Sequence, residues 1–133
     1  MKSLVIDATE FTPKALFDPS TDTFEIIGES RPEDANQFYF PILDWLDEYS
    51  DNRQWEKSNS GKETTEMKFY FEYFNSTSAK FIMDILMKVA ELRESGMNIN
   101  IKWCYDEMDT DMKDTGEEME DLACIPFVYE VVE

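Results

Sequence analysis

A chain of 133 residues, 42% apolar and 14% aromatic, is the size of one domain and carries enough apolar side chains to bury a core. Thirty acidic residues against 12 basic ones leave a formal net charge of −18, and there is no histidine. Such a surface repels nucleic acid and anionic lipid, and the missing histidine excludes Ser-His-Asp and Cys-His catalysis and removes the usual zinc ligand.

In chain order, Leu4–Ile6 opens as a short strand and Lys14–Phe17 follows as a second apolar piece. Asp18-Pro19-Ser20-Thr21-Asp22 is turn chemistry, and Thr23–Ile27 returns as a strand, so an antiparallel hairpin is expected at the start of the domain. Ser30 and Glu33 have capping-box spacing, with Pro32 tolerated in a first helical turn. Pro41 lacks an N–H and clashes with the preceding turn, which predicts a kink or two short helices, Glu33–Tyr39 and Pro41–Tyr49. Ser50–Lys62, with Asn59-Ser60-Gly61 in its middle, reads as a partly mobile loop.

Met67, Phe69, Phe71 and Tyr73 alternate with Lys68, Tyr70 and Glu72, which predicts a strand over Thr64–Phe74. Phe81, Ile82, Ile85, Leu86, Val89 and Leu92 then fall on one face at helical spacing, which predicts a helix over Thr77–Arg93 closed by Gly96. Asn98–Tyr105 alternates again and reads as a strand. Asp106–Asp121 holds nine acids and one lysine; a loop followed by a helix near Glu117–Leu122 is expected there, and Ile125–Val132 closes the chain as a strand. Strands interleaved with helices argue a mixed α/β fold, one domain over residues 1–133 with a sheet flanked by helices.

Several chemistries fail on spacing. An EF-hand loop begun at Asp109 has Lys113 at its fifth position and Asp114 where glycine is required, so a solvated acidic face that docks a basic partner is the better reading. Gly61-Lys62 lacks the spacing of a phosphate loop, and carboxylate pairs are too plentiful to single out a hydrolase site. No metal or cofactor is expected. The aromatic set Trp45, Phe69, Phe71, Tyr73, Trp103 and Tyr105 reads as core. Cys104 and Cys124 lack CxxC spacing and read as free thiols; no apolar run approaches the roughly 20 residues that span a bilayer, and Met1–Asp7 is not a signal peptide. A cytoplasmic protein acting away from membrane and nucleic acid is expected.

The most informative segment is Tyr73-Phe74-Asn75-Ser76-Thr77-Ser78-Ala79-Lys80, where a strand pattern ends and a helix pattern begins. It places three consecutive hydroxyls at a helix N-terminus, where free backbone N–H groups and the helix dipole stabilise an added phosphate. The same residues also suit plain N-capping, and under that reading the chain is a constitutive acidic partner protein.

With Thr12-Pro13 and Phe17-Asp18, Gly28-Glu29-Ser30-Arg31-Pro32-Glu33, Phe38-Tyr39, Asp44-Trp45-Leu46, the Tyr73–Lys80 segment, Trp103-Cys104-Tyr105-Asp106 and Pro126-Phe127 in this order, the chain resembles the SiaC family of bacterial regulatory phosphoproteins. The resemblance implies an anti-sigma-factor-antagonist-like fold related to STAS domains, with a mixed sheet of about five strands. It implies a non-enzymatic switch. A Ser/Thr kinase of the anti-sigma-factor type phosphorylates a hydroxyl, a PP2C-type phosphatase removes the phosphate, and the free form activates a diguanylate cyclase, which links the switch to cyclic di-GMP and biofilm formation. The family's modified residue directly follows the asparagine and is typically threonine. That position is Ser76 here, with threonine one later as Thr77; Ser76 is expected by position and Thr77 is the alternative. Asn75 and Ser78 are expected to cap the helix. Lys80, one turn in, is expected to pair with the phosphate or with a partner carboxylate.

Overall fold

The computed structural model describes residues 1–53, 55–58 and 64–133, with the backbone alone at 57 and 58. Six strands among them form one mixed sheet in sequential order: β1 (Leu4–Ile6), β2 (Lys14–Asp18), β3 (Thr23–Ser30), β4 (Thr65–Phe74), β5 (Ile99–Asp106) and β6 (Phe127–Val132). The first two pairings are antiparallel and the last three parallel. The expected hairpin is β2–β3. Its turn is held by the Asp18 carboxylate, which accepts from the Ser20 N–H at 3.0 Å and hydroxyl at 2.7 Å. The expected count of about five strands is short by one, because β1 pairs fully along β2.

Each parallel pair is joined through a helix, as parallel strands require: α1 (Ala35–Asp51) and the single turn α2 (Trp55–Ser58) before β4, α3 (Ser76–Glu94) before β5, and α4 (Thr110–Ala123) before β6. Alternate strand residues are buried, among them Phe24 and Ile26, Met67, Phe69 and Phe71, Ile99, Ile101 and Trp103. The helices cover that one face, with α3 packed between α1 and α4.

Four local expectations change. Ser30 does not cap α1; it is the last residue of β3, and the cap is Asp34, whose carboxylate accepts from the Gln37 N–H at 3.1 Å. Pro41 does not divide α1. Tyr39, Ile42, Trp45, Leu46 and Tyr49 form one buried stripe that spans the exposed proline, and packing on both sides outweighs its missing hydrogen bond. The expected loop over Ser50–Lys62 contains the end of α1 and α2, whose Trp55 is buried; Asn59, Ser60, Gly61 and Lys62 lie outside the described residues. The acidic stretch is a helix from Thr110 rather than from Glu117. Asp109 caps it by accepting from the Met112 N–H at 3.1 Å, and Met112, Gly116, Met119 and Ala123 face the core.

The end of α3 follows its prediction closely. Gly96, at φ +111°, donates to the Arg93 carbonyl and Met97 to the Leu92 carbonyl, both at 3.0 Å, which is the Schellman arrangement.

Candidate functional site

The hydroxyl run sits where β4 hands over to α3, at the C-terminal edge of the parallel strands, the edge where α/β sheets place their sites. A bulge sets it up. Gly28 pairs with Phe71 and Glu29 with Tyr73, so Glu72 is an extra residue in β4. Beyond it the alternation inverts. Phe74 turns inward onto the rings of Phe71 and Trp103, and Tyr73 is left 49% exposed. Tyr73 therefore leaves the aromatic core in which its period-2 spacing placed it, while Trp45, Phe69, Phe71, Trp103 and Tyr105 are buried as expected.

Asn75 ends the strand and starts the helix. Its N–H donates to the Ser30 carbonyl at 3.1 Å, and its side-chain oxygen accepts from the Ser78 N–H at 2.9 Å, so Asn75 is the N-cap. Ser76 and Thr77 are the first two helical residues and both are exposed. Ser78 is not a cap. Its hydroxyl is buried, donates to the Ser30 carbonyl at 3.1 Å and accepts from Ser30 Oγ at 2.9 Å. The three hydroxyls that look equivalent in the chain thus divide into two presented outward and one held inward.

Lys80 is exposed on the outer face of α3, one turn from Ser76. It makes no ion pair among the described residues, and its Nζ lies 5.3 Å from the centre of the Phe81 ring. Phe81 stacks on Tyr39 at 5.2 Å and meets Phe40 edge-on at 5.9 Å. Phe40 is 52% exposed, and Met87, two turns beyond Lys80 on α3, is 47% exposed. Phe40, Leu43 and Met87 line a groove between α1 and α3 with Asp44, Asp47 and Asp84 on its walls. Apolar surface bordered by charge has the composition of a protein-docking face rather than of a substrate pocket.

Two residues of the site escaped the sequence reading. Ser30 and Tyr39 lie under the run, with Ser30 Oγ and Tyr39 Oη 2.5 Å apart, and burial raises the Tyr39 pKa above its usual value against the opposing hydrogen bonds from Ser30 and Ser78. The signal for Ser30 was present: Phe24, Ile26 and Ser30 share one parity, so a longer β3 points Ser30 at the core. The acidic stretch contributes structure rather than a uniform solvated face. Asp109 caps α4, and Glu120 accepts from the Phe127 N–H at 2.8 Å and the Tyr129 hydroxyl at 2.6 Å. Among the described residues, no group of three or more Cys, Asp or Glu side chains converges as a metal would require, and no helix is long and apolar enough to cross a membrane. Cys104 is buried and Cys124 exposed, both as free thiols.

The family model for the SiaC family regulatory phosphoprotein matches residues 6–132. The chain belongs to the SiaC family. Over 130 residues it is 25% identical to an uncharacterised protein of Pseudomonas aeruginosa strain UCBPP-PA14, covering 98% of this chain and 97% of that one. Its fold matches the crystal structure of apo-SiaC from Pseudomonas aeruginosa with a TM-score of 0.80 at 25% identity, over 98% of this chain and 99% of that one. It matches equally well, with a TM-score of 0.80 over 97% of this chain, a structure of the diguanylate cyclase SiaD in complex with its activator SiaC from the same organism. Membership makes this chain a regulatory phosphoprotein rather than an enzyme, with the mixed α/β fold of the SiaC structures.

Proposed function

We propose that this SiaC-family protein is a phosphorylation-controlled activator of a diguanylate cyclase, with Ser76 as the modified residue and Thr77 as the alternative. The reading is supported by one structural observation above others. Directly after the capping Asn75, Ser76 and Thr77 stand exposed at the positive end of a 19-residue helix that also exposes Lys80 and Met87. Its output is supported by the relative SiaC, which is described as the activator of the cyclase SiaD in their complex.

The unmodified face docks the cyclase. A kinase of the anti-sigma-factor type adds the phosphate and a PP2C-type phosphatase removes it, in the cytoplasm, where Cys104 and Cys124 stay reduced. The added group brings roughly −1.5 to −2 charges to a surface already at −18. At the helix N-terminus the dipole accommodates that charge, worth about 0.3–1 kcal/mol of stabilisation, so the fold survives. Docking does not survive: the phosphate fills space at a close-packed interface, repels acidic groups of the partner and draws Lys80 onto itself.

The test uses the diguanylate cyclase of the same organism and follows cyclic di-GMP formation. Unmodified protein is expected to raise the rate; Ser76→Glu is expected to leave it at the basal level while keeping the native circular dichroism spectrum and Tm. Activation equal to wild type by both Ser76→Glu and Thr77→Glu, or unfolding of these variants, rejects the mechanism.

A further inference from the structure

Under the exposed hydroxyls runs a buried chain of three that the switch itself does not consume. Tyr39 Oη and Ser30 Oγ are 2.5 Å apart, Ser30 Oγ donates to Ser78 Oγ at 2.9 Å, and Ser78 Oγ donates to the Ser30 carbonyl at 3.1 Å. A hydroxyl has one proton to give. Because that of Ser30 goes to Ser78, Tyr39 is the donor in the first bond. Every hydroxyl proton of the chain is therefore used inside the protein, and all three residues are fully buried. The chain ties the end of β3 to α1 and to the first turn of α3. Buried polar chains of this kind specify one arrangement when complete and are costly when one member is missing.

We infer that Ser30 and Tyr39 are positioning residues that select the acceptor within the run: by holding Ser78 inward they fix the rotation of the first turn of α3 and leave Ser76 and Thr77 as its acceptors. The inference rests on the reading that this run is phosphorylated. In the transfer, the acceptor Oγ forms a bond to the γ-phosphorus of ATP as the bond from that phosphorus to the bridging oxygen breaks. ADP leaves, and the hydroxyl proton passes to the base of the kinase. An acceptor must therefore reach the phosphorus in line and have a proton to release.

Ser78 Oγ satisfies neither condition, since it is shut off from solvent and its proton is bonded to the Ser30 carbonyl. A helix turns about 100° per residue, so fixing Ser78 inward points Ser76, about 200° away, outward. Asn75 holds the same turn from its other side through the Ser30 carbonyl and the Ser78 N–H. Three adjacent hydroxyls are thereby reduced to the two that face outward, Ser76 and Thr77.

The experiment compares wild type with Ser30→Ala and Tyr39→Phe, each expressed as the full chain in its own host with the phosphatase removed. Phosphate is located by site-resolved mass spectrometry, and amide hydrogen exchange is followed at Ser78. Wild type is expected to carry phosphate on Ser76 or Thr77 and none on Ser78. Ser30→Ala removes the donor to Ser78, so exchange at Ser78 is expected to rise about ten-fold and phosphate to spread onto Ser78. Tyr39→Phe keeps the ring that stacks on Phe81 and removes only the hydroxyl, so it carries the test if Ser30→Ala fails to fold; the same spread, of smaller extent, is expected. Phosphate on Ser78 in wild type, or a wild-type distribution in the folded variants, overturns the selection. A wild type without phosphate under any growth condition overturns the phosphoswitch reading and the selection with it.

Discussion

Ser76 and Ser78 are two positions apart and have opposite surroundings. Ser76→Ala removes an exposed hydroxyl and is expected to change stability by less than about 0.5 kcal/mol. Ser78→Ala removes a buried hydroxyl that both donates and accepts, and leaves the Ser30 donor unpaired, so a loss of about 1–3 kcal/mol is expected. Urea denaturation of the two variants checks the contrast; equal midpoints would show that Ser78 is not held as described. Tyr39 adds a pH dependence. Burial raises its folded pKa above the ordinary tyrosine value of 10.0, and Tyr129, partly buried against Glu120, is shifted the same way. As pH rises past about 10 the unfolded chain loses these protons first, so stability is complete below that pH and falls as the folded pKa values are approached. Unfolding free energy measured from about pH 8 to about pH 11 is expected to decline, and Tyr39→Phe is expected to flatten the decline.

At the scale of elements, packing decides what local pattern leaves open. α4 carries so many acids that propensity and periodicity are faint in its first half, yet Met112, Gly116 and Met119 seat it on the sheet. Gly116 is there for space. A Cβ at 116 would lie 2.5 Å from Trp103 Nε1, and that indole N–H donates to the Met112 carbonyl at 3.0 Å. In Gly116→Ala, the gain in helix propensity of about 1 kcal/mol opposes overpacking of about 1–3 kcal/mol and a strained or broken buried hydrogen bond of similar size. The clash wins, and Tm is expected to fall by about 5 °C or more, read by thermal unfolding with tryptophan fluorescence. An unchanged Tm would mean that α4 can shift off Trp103 without loss. The same reasoning explains α1. The exclusion of Pro41 from helix interiors is a local rule, and a stripe buried on both sides of it is a stronger, non-local one.

Over the whole molecule, the dominant electrostatic fact is the excess of 18 negative charges. The ion pairs, such as Lys14–Glu25 and Lys102–Glu130, lie at the surface with partly exposed side chains and are individually worth about 0–1 kcal/mol. Self-repulsion of the unpaired acids therefore outweighs them, and screening it stabilises the compact state. Raising sodium chloride from about 20 mM to about 500 mM, which shortens the Debye length below about 5 Å, is expected to raise Tm. A fall in Tm would mean that specific ion pairs, not net charge, dominate.

The residues of the site were legible in unequal measure. Asn75, Ser76, Thr77 and Lys80 could be placed at a helix start from periodicity alone, because a switch from period 2 to period 3.6 is written in the local order of apolar residues. The strands and the long helix α3 with its Gly96 end were likewise accessible from the chain, since each rests on neighbours in sequence; the family and its regulatory class came through the resemblance of motifs spread from Thr12 to Phe127. The inward turn of Ser78, the core position of Ser30, the exposure of Tyr73 and the single span of α1 through Pro41 were not. Each depends on a partner 9 to 48 positions away, or on the bulge at Glu72 that exists only when β3 and β4 pair. The sequence alone determined that three adjacent hydroxyls stand at a helix start; which of them face outward was decided by tertiary packing, because burial and hydrogen-bond direction are properties of elements brought together.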